Sequence, residues 1–282
     1  MQKHHSLTPV FVGLLLLLSG LPCLQAGGLR IAWKQNMLSI SGDAVPGGSV
    51  ETWYLEAFCR AGSTAQAWDK TTLPHRTELI SAEETGKRIQ LRSFVEPDVR
   101  VDHEITAGED AVEFQVVLTN SGKRASAAHW FQPCMRVDKF TGKTQTDYIQ
   151  KSFIFTKAGL QRLTELPRNE VAIYKGGQVY VPGAVPLSDV NPRPISAIQP
   201  VNGLIGCFSA DEKSLLATAW SETQELFQGV IVCLHNDPRI GGLQPGETKR
   251  LKGKIYILPN DPAKLLRRYQ ADFKDAAGKP GR

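Results

Sequence analysis

The sequence predicts a mostly β, antiparallel fold with one short helix near the C-terminus. Three observations predict it. Apolar runs of strand length recur between Gly-, Asn- and Asp-rich turns. Consecutive runs are joined by connections too short for anything but antiparallel pairing. Helical periodicity is clear in one place only, Pro262–Phe273, where Leu265, Leu266, Tyr269 and Phe273 recur at helical spacing.

The elements follow in order. Leu29–Ile40 alternates loosely and ends at Ser41-Gly42-Asp43. Val50–Arg60 is rich in aromatics. Arg88–Phe94, Val99–Thr106 and Val112–Leu118 read as a meander, turning at Ala107-Gly108-Glu109-Asp110 and at Asn120-Ser121-Gly122-Lys123. Ala125–Val137 runs back. Lys157–Thr164 reads as a short, weak helix. Pro182–Pro200 is a Pro-rich irregular excursion, of a length usually functional or disordered. Leu204–Ser209 and Leu215–Trp220 flank Ala210-Asp211-Glu212-Lys213 as a hairpin. Gly229–His235 and Lys249–Leu258 close the set, around a turn at Leu243-Gln244-Pro245-Gly246-Glu247. The last helix has Asp261 as its cap and Pro262 in its first turn.

The first 26 residues have a secretory pattern. Lys3, His4 and His5 precede the apolar run Val10–Leu18, and Ser19, Gly20, Pro22 and Ala26 follow it. The run is about half of the roughly 20 apolar residues that a membrane span requires. Pro22 before Cys23 argues against a lipid anchor. The expected organisation is a signal peptide over 1–26, one β domain over 27–275 and a flexible tail over 276–282. The expected location is outside the cytoplasm, periplasmic or extracellular. A single β domain of about 250 residues is ordinary. No later segment spans a membrane. The net charge of +5 is scattered over the chain, without the basic stripe that nucleic-acid binding requires.

Removing Cys23 leaves Cys59, Cys134, Cys207 and Cys233. They can pair in three ways or stay as buried thiols. No CxxC is present, and no metal site or cofactor is expected. His103 lies between Asp102 and Glu104, but neighbours on a strand point to opposite faces.

Polar residues concentrate in four places. In Ala128–Asp138, strand alternation puts Trp130, Gln132, Cys134, Arg136 and Asp138 on one face. Pro133 argues against a regular central strand. A bulge there would bring His129 near Gln132 and Arg136. An aromatic beside hydrogen-bonding and cationic groups suits a sugar ring, whose faces stack and whose hydroxyls bond. The bland alternative is a core histidine with an Arg136–Asp138 surface ion pair. Cys233–Arg239 holds His235 and Arg239 at a strand end; Asn236 and Asp237 read there as turn formers. Ser188–Pro194 holds Arg193 between two prolines. Trp220–Glu225 offers the carboxylate of Glu225 as an acid or base, or as part of a polar turn.

Two stretches carry a family resemblance. Val112–Asn120, Ser121-Gly122 and the strand into His129-Trp130-Phe131 form the first; Gly229–Leu234, the Pro245-Gly246-Glu247 turn and Lys249–Leu258 form the second. Together they resemble galactose-mutarotase-like (aldose epimerase-like) proteins over about half the chain. The resemblance implies a β-supersandwich and puts His129 at the catalytic acid. His235 stands roughly where that family has a catalytic Glu, and no early Gly-Arg-x-x-Asn signature is present.

The resulting expectation is an exported, carbohydrate-recognising protein whose partner is an oligo- or polysaccharide. His129 and His235 would be the acid/base pair of an epimerase- or lyase-like reaction. Trp130, Gln132, Arg136, Asp138, Arg193 and Glu225 would bind substrate. The alternative is a non-catalytic glycan-binding module or a structural cell-envelope module.

Overall fold

The computed structural model describes residues 27–62, 67–172, 177–190, 194–229 and 231–274. The signal-like segment, Arg193 and the tail lie outside them. Among the described residues no helix is long and apolar enough to cross a membrane.

The strands are β1 (Arg30–Lys34), β2 (Met37–Ser41), β3 (Ser49–Cys59), then a one-turn helix α1 (Trp68–Thr71) and β4 (Thr72–Leu73). Next come β5 (His75–Ala82), β6 (Arg88–Val95), β7 (Val99–Ala107), β8 (Ala111–Asn120) and β9 (Trp130–Arg136), followed by a short helix α2 (Asp138–Thr141). The second half has β10 (Ser152–Thr156), β11 (Gly159–Arg162), β12 (Val179–Tyr180), β13 (Ile205–Phe208), β14 (Ser214–Trp220), β15 (Thr223–Gln228), β16 (Cys233–Pro238) and β17 (Thr248–Pro259). Helix α3 (Pro262–Asp272) ends the series.

Two antiparallel sheets form the expected sandwich. The first has the order β1-β2-β3-β9-β16-β15-β12, with β4 beside β3; the second runs β11-β10-β13-β14-β17-β8-β7-β6-β5. Alternation fills the space between them. Tyr54, Phe58, Phe131 and Met135 point inward from the first sheet. Val101, Ile105, Phe114, Val116, Leu118, Trp220 and Ile255 meet them from the second. His103 also points inward, while Asp102 and Glu104 pair with Arg92 and Arg88 on the outside. The outer face of the second sheet is covered by α3, through Leu265 and Phe273 on Phe153, Ala217 and Tyr256.

Helix α3 begins as expected. The Asp261 carboxylate accepts a hydrogen bond from the Lys264 N–H at 2.8 Å, and Pro262 occupies the first turn. Asp261→Ala should lower stability by about 1 kcal/mol, read as a shift in urea midpoint without a change in slope.

Four local readings are corrected. Leu29–Ile40 is a hairpin rather than one strand: Gln35 and Asn36 both have positive φ, the left-handed pair that a tight two-residue turn requires. Lys157–Thr164 is not a helix but the β10–β11 turn, β11 and the start of a 3-10 turn, with Gly159 at φ 94°. Trp220–Glu225, read also as a polar turn, holds the end of β14 and the start of the strand β15 (Thr223–Gln228), and β16 runs on through Asn236 and Asp237 to Pro238. Pro133 does sit in a central strand: β9 lies between β3 and β16. The irregularity falls on its neighbour, where β3 shifts register between Trp53 and Ala57, opposite the residue that has no N–H to donate.

Candidate functional site

The first sheet carries polar residues on the face turned away from the sandwich core. Register explains why. Cys134 lies opposite His235, and Trp130 opposite Arg239. The pairing between them therefore places Gln132 beside Asp237, which in turn lies opposite Glu225 on β15. On the other flank Gln132 pairs with Ala57, next to Glu56 in the β3 bulge. Glu56, Gln132, Asp237 and Glu225 thus form a row across four strands. The next row holds Cys134, His235 and Phe227.

These side chains are buried. Gln132, His235, Asp237 and Glu225 are at most 5% exposed. Part of the cover is the excursion after β11, whose Val179, Val181, Val185, Val190 and Ile195 pack on Phe227. Gln132 Nε2 lies 2.9 Å from His235 Nδ1, and His235 Nε2 lies 3.1 Å from Cys233 Sγ. Asp237 Oδ1 is 3.9 Å from His235 Nδ1. Several buried polar atoms on or beside this face have no hydrogen-bond partner: Trp130 Nε1, Gln132 Oε1, Glu56 Oε2, His129 Nδ1 and both Asp237 carboxyl oxygens. Such atoms are rare in folded proteins, because each costs roughly 1–3 kcal/mol of lost hydration.

Electrostatics follow from this crowding. Burial, then Glu225 and Glu56, push the Asp237 carboxyl far above the usual carboxylate range. Burial alone would lower His235; Cys134 and the Glu56 and Glu225 carboxylates outweigh it and raise the imidazole above its ordinary value.

His129 sits at the end of the same face, half-buried, one residue before β9. Its backbone is held on both sides, its N–H by Cys59 and its C=O by the N–H groups of Ile240 and Gly241. A Cβ on Gly242, where φ is 74°, would fall 2.9 Å from its Nε2, so glycine there leaves the ring its place. Asp189 and Arg239 are its charged neighbours. Burial lowers its pKa, Asp189 opposes that and Arg239 adds to it. Arg239 is itself tied to Asp189 at 2.8 Å and donates to the Gln224 side chain, whose Nε2 donates to the Asp189 backbone carbonyl.

The sequence expectations fare unevenly. Trp130, Gln132, Cys134 and Arg136 do share the outward face of β9. Asp138 does not: the strand ends at Arg136, and Asp138 starts α2 as an exposed residue. Trp130 is fully buried against Ala57 and Cys59, so its ring offers no stacking platform. His129 does not approach Arg136, because β9 runs extended. His129 and His235 do not converge on one ligand. Cys134 is opposite His235 and five residues from His129, a separation of about 17 Å at the strand rise. Cys59, Cys134, Cys207 and Cys233 are all free and buried. Missed by the sequence reading were Glu56, Asp237, Asp189 and Gln224. The available signal was strand alternation through Cys233, His235 and Asp237.

No family model matches the chain, and no curated protein does. Solved structures are similar to it. One is a galactose mutarotase-like protein from Lactobacillus casei ATCC 334, with 9% identity and a TM-score of 0.41, covering 82% of this chain and 100% of that one. Another is a putative aldose 1-epimerase from Escherichia coli K12, with 10% identity and a TM-score of 0.41, covering 81% of this chain and 98% of that one. Another neighbour is an alpha-N-acetylgalactosaminidase from Bifidobacterium bifidum, with 11% identity and a TM-score of 0.46, covering 89% of this chain and 38% of that one.

Proposed function

We propose that this is an exported carbohydrate-recognising protein whose saccharide site is the outer face of the first sheet, entered at His129. The observation that carries the reading is the set of buried polar atoms without partners along that face. It mixes a donor, the Trp130 indole N–H, with carboxyl oxygens. A polyol supplies both roles at every hydroxyl. The carboxylates of Glu56 and Glu225 favour a neutral sugar over a uronate.

His129 is the group placed to move a proton. Its lowered pKa keeps it a neutral imidazole at pH 7, able to accept a proton from a sugar hydroxyl. His235, buried beneath the row, is not assigned that role.

The test is a panel of neutral and uronate glycans, with binding followed by calorimetry and turnover by NMR. Wild type should bind a neutral glycan; His129→Ala and Glu56→Gln should each weaken it about fivefold or more, the scale of a lost hydrogen bond. Equal binding by both variants would overturn the site. A structural cell-envelope module is the second reading, favoured by the burial of Trp130 and His235; binding to no glycan in the panel would select it. Export is tested by fractionating cells that express the chain with and without residues 1–26.

A further inference from the structure

Four thiols in one β domain, without a CxxC, gave no reason to expect a metal. Strand pairing changes that. Cys134 on β9 lies directly opposite His235 on β16, and Cys233 precedes His235 by two residues, so all three side chains leave the same face. Cys134 Sγ, Cys233 Sγ and a ring nitrogen of His235 all lie within 4.8 Å of one another, and all three residues are buried. The histidine faces the thiols with Nε2, at 3.1 Å from Cys233 Sγ.

Two further features fit a metal centre. Gly229 passes over Cys233; a Cβ there would fall 2.2 Å from Sγ, so a side chain at 229 would occupy the space beside the thiol. The other ring nitrogen, Nδ1, faces Gln132 at 2.9 Å and Asp237 at 3.9 Å. Metal-bound histidines characteristically hold their second nitrogen against an amide or carboxylate of this kind, which fixes the ring. In the metal-bound tautomer Nδ1–H donates, and the Gln132 amide turns to present the Oε1 that otherwise lacks a partner.

We propose that Cys134, Cys233 and His235 form a buried site for Zn(II). Charge selects the ion: two thiolates and a neutral imidazole with a divalent cation sum to zero, which a buried site requires. Softness agrees, since thiolate and imidazole ligands suit zinc. Binding releases the two thiol protons, and the proton of any imidazolium form of His235, to solvent, and no electron is transferred. At Zn–S of about 2.3 Å and Zn–N of about 2.0 Å, donors must stand roughly 3.5–3.8 Å apart, so small side-chain adjustments suffice. A Cys134–Cys233 disulfide is disfavoured, because residues diagonal across two strands have Cα atoms about 7–8 Å apart, beyond the usual reach of the bond. The site does not depend on the saccharide reading.

The experiment uses the full chain, purified under reducing conditions, stripped with a chelator and titrated with Zn(II), then separately with Co(II). One zinc per chain is expected, with a rise in Tm. Cobalt should give a thiolate charge-transfer band in the near ultraviolet. Cys134→Ala and Cys233→Ser should each abolish that stoichiometric binding, while Cys59→Ser and Cys207→Ser keep it. Circular dichroism reports whether each variant folds, and the cobalt band on wild type tests the site without any variant. No cobalt–thiolate band, zinc retained in folded Cys233→Ser, or a Cys134–Cys233 disulfide in the protein isolated without reductant would overturn the proposal.

Discussion

Lowering the pH from 7 to 4.5 should cost the folded protein about 2–3 kcal/mol through His103 alone. The ring lies between the sheets, its Nδ1 3.1 Å from the Tyr54 hydroxyl and its Nε2 3.1 Å from the Ser93 hydroxyl. Burial drives its pKa down to about 3, against a small opposing pull from Asp102. The unfolded chain takes up the proton near 6.5 and the folded chain does not. The contribution is therefore complete above about 6.5 and is lost as pH falls towards the folded value. Urea titrations at pH 7, 6, 5 and 4.5 measure it. His103→Leu should be less stable at pH 7, because the two hydroxyls lose their partner, but should fall less steeply with acid. An unchanged slope in that variant would refute the assignment.

The second large effect concerns a single missing side chain. Gly253 on β17 pairs with Trp220 on β14, and the indole covers it. A Cβ at 253 would lie 2.6–2.7 Å from three atoms of that ring. The ring cannot withdraw, because Phe114 and Phe131 stand against it at centroid distances of 5.5 and 5.4 Å. Gly253→Val should lower stability by about 3 kcal/mol, the upper part of the range for overpacking a core. Trp220→Leu opens a cavity and should also destabilise, by roughly 3 kcal/mol. Combined, the two should cost clearly less than their sum, since each relieves the other. Additive losses would mean that the clash is absorbed elsewhere.

What the sequence disclosed has a physical pattern. The β6–β8 meander was legible because one face is apolar and the other wet, so alternation is visible. The strand β15 was not, because its Gln224, Glu225 and Gln228 are polar yet buried, which inverts the usual cue. β5 was missed as an edge strand with a mostly exposed surface. Asn236-Asp237-Pro238 has the composition of a turn, and only pairing with β15 makes it strand. Within the site, the shared face of Trp130, Gln132 and Cys134 could be read from β9 alone. The separation of His129 from His235 could not, since it depends on the register of strands about a hundred residues apart.

That same register has a kinetic meaning. β3 ends at residue 59, β9 begins at 130 and β16 at 233, and these three strands lie side by side. Contacts spanning such separations close long loops, and folds dominated by them form slowly. The local meander β5–β8 can assemble early, on its own neighbours. The polar face is late by construction: a chain emerging residue by residue has no thiol pair before residue 233 and no carboxylate row before residue 237 is in place.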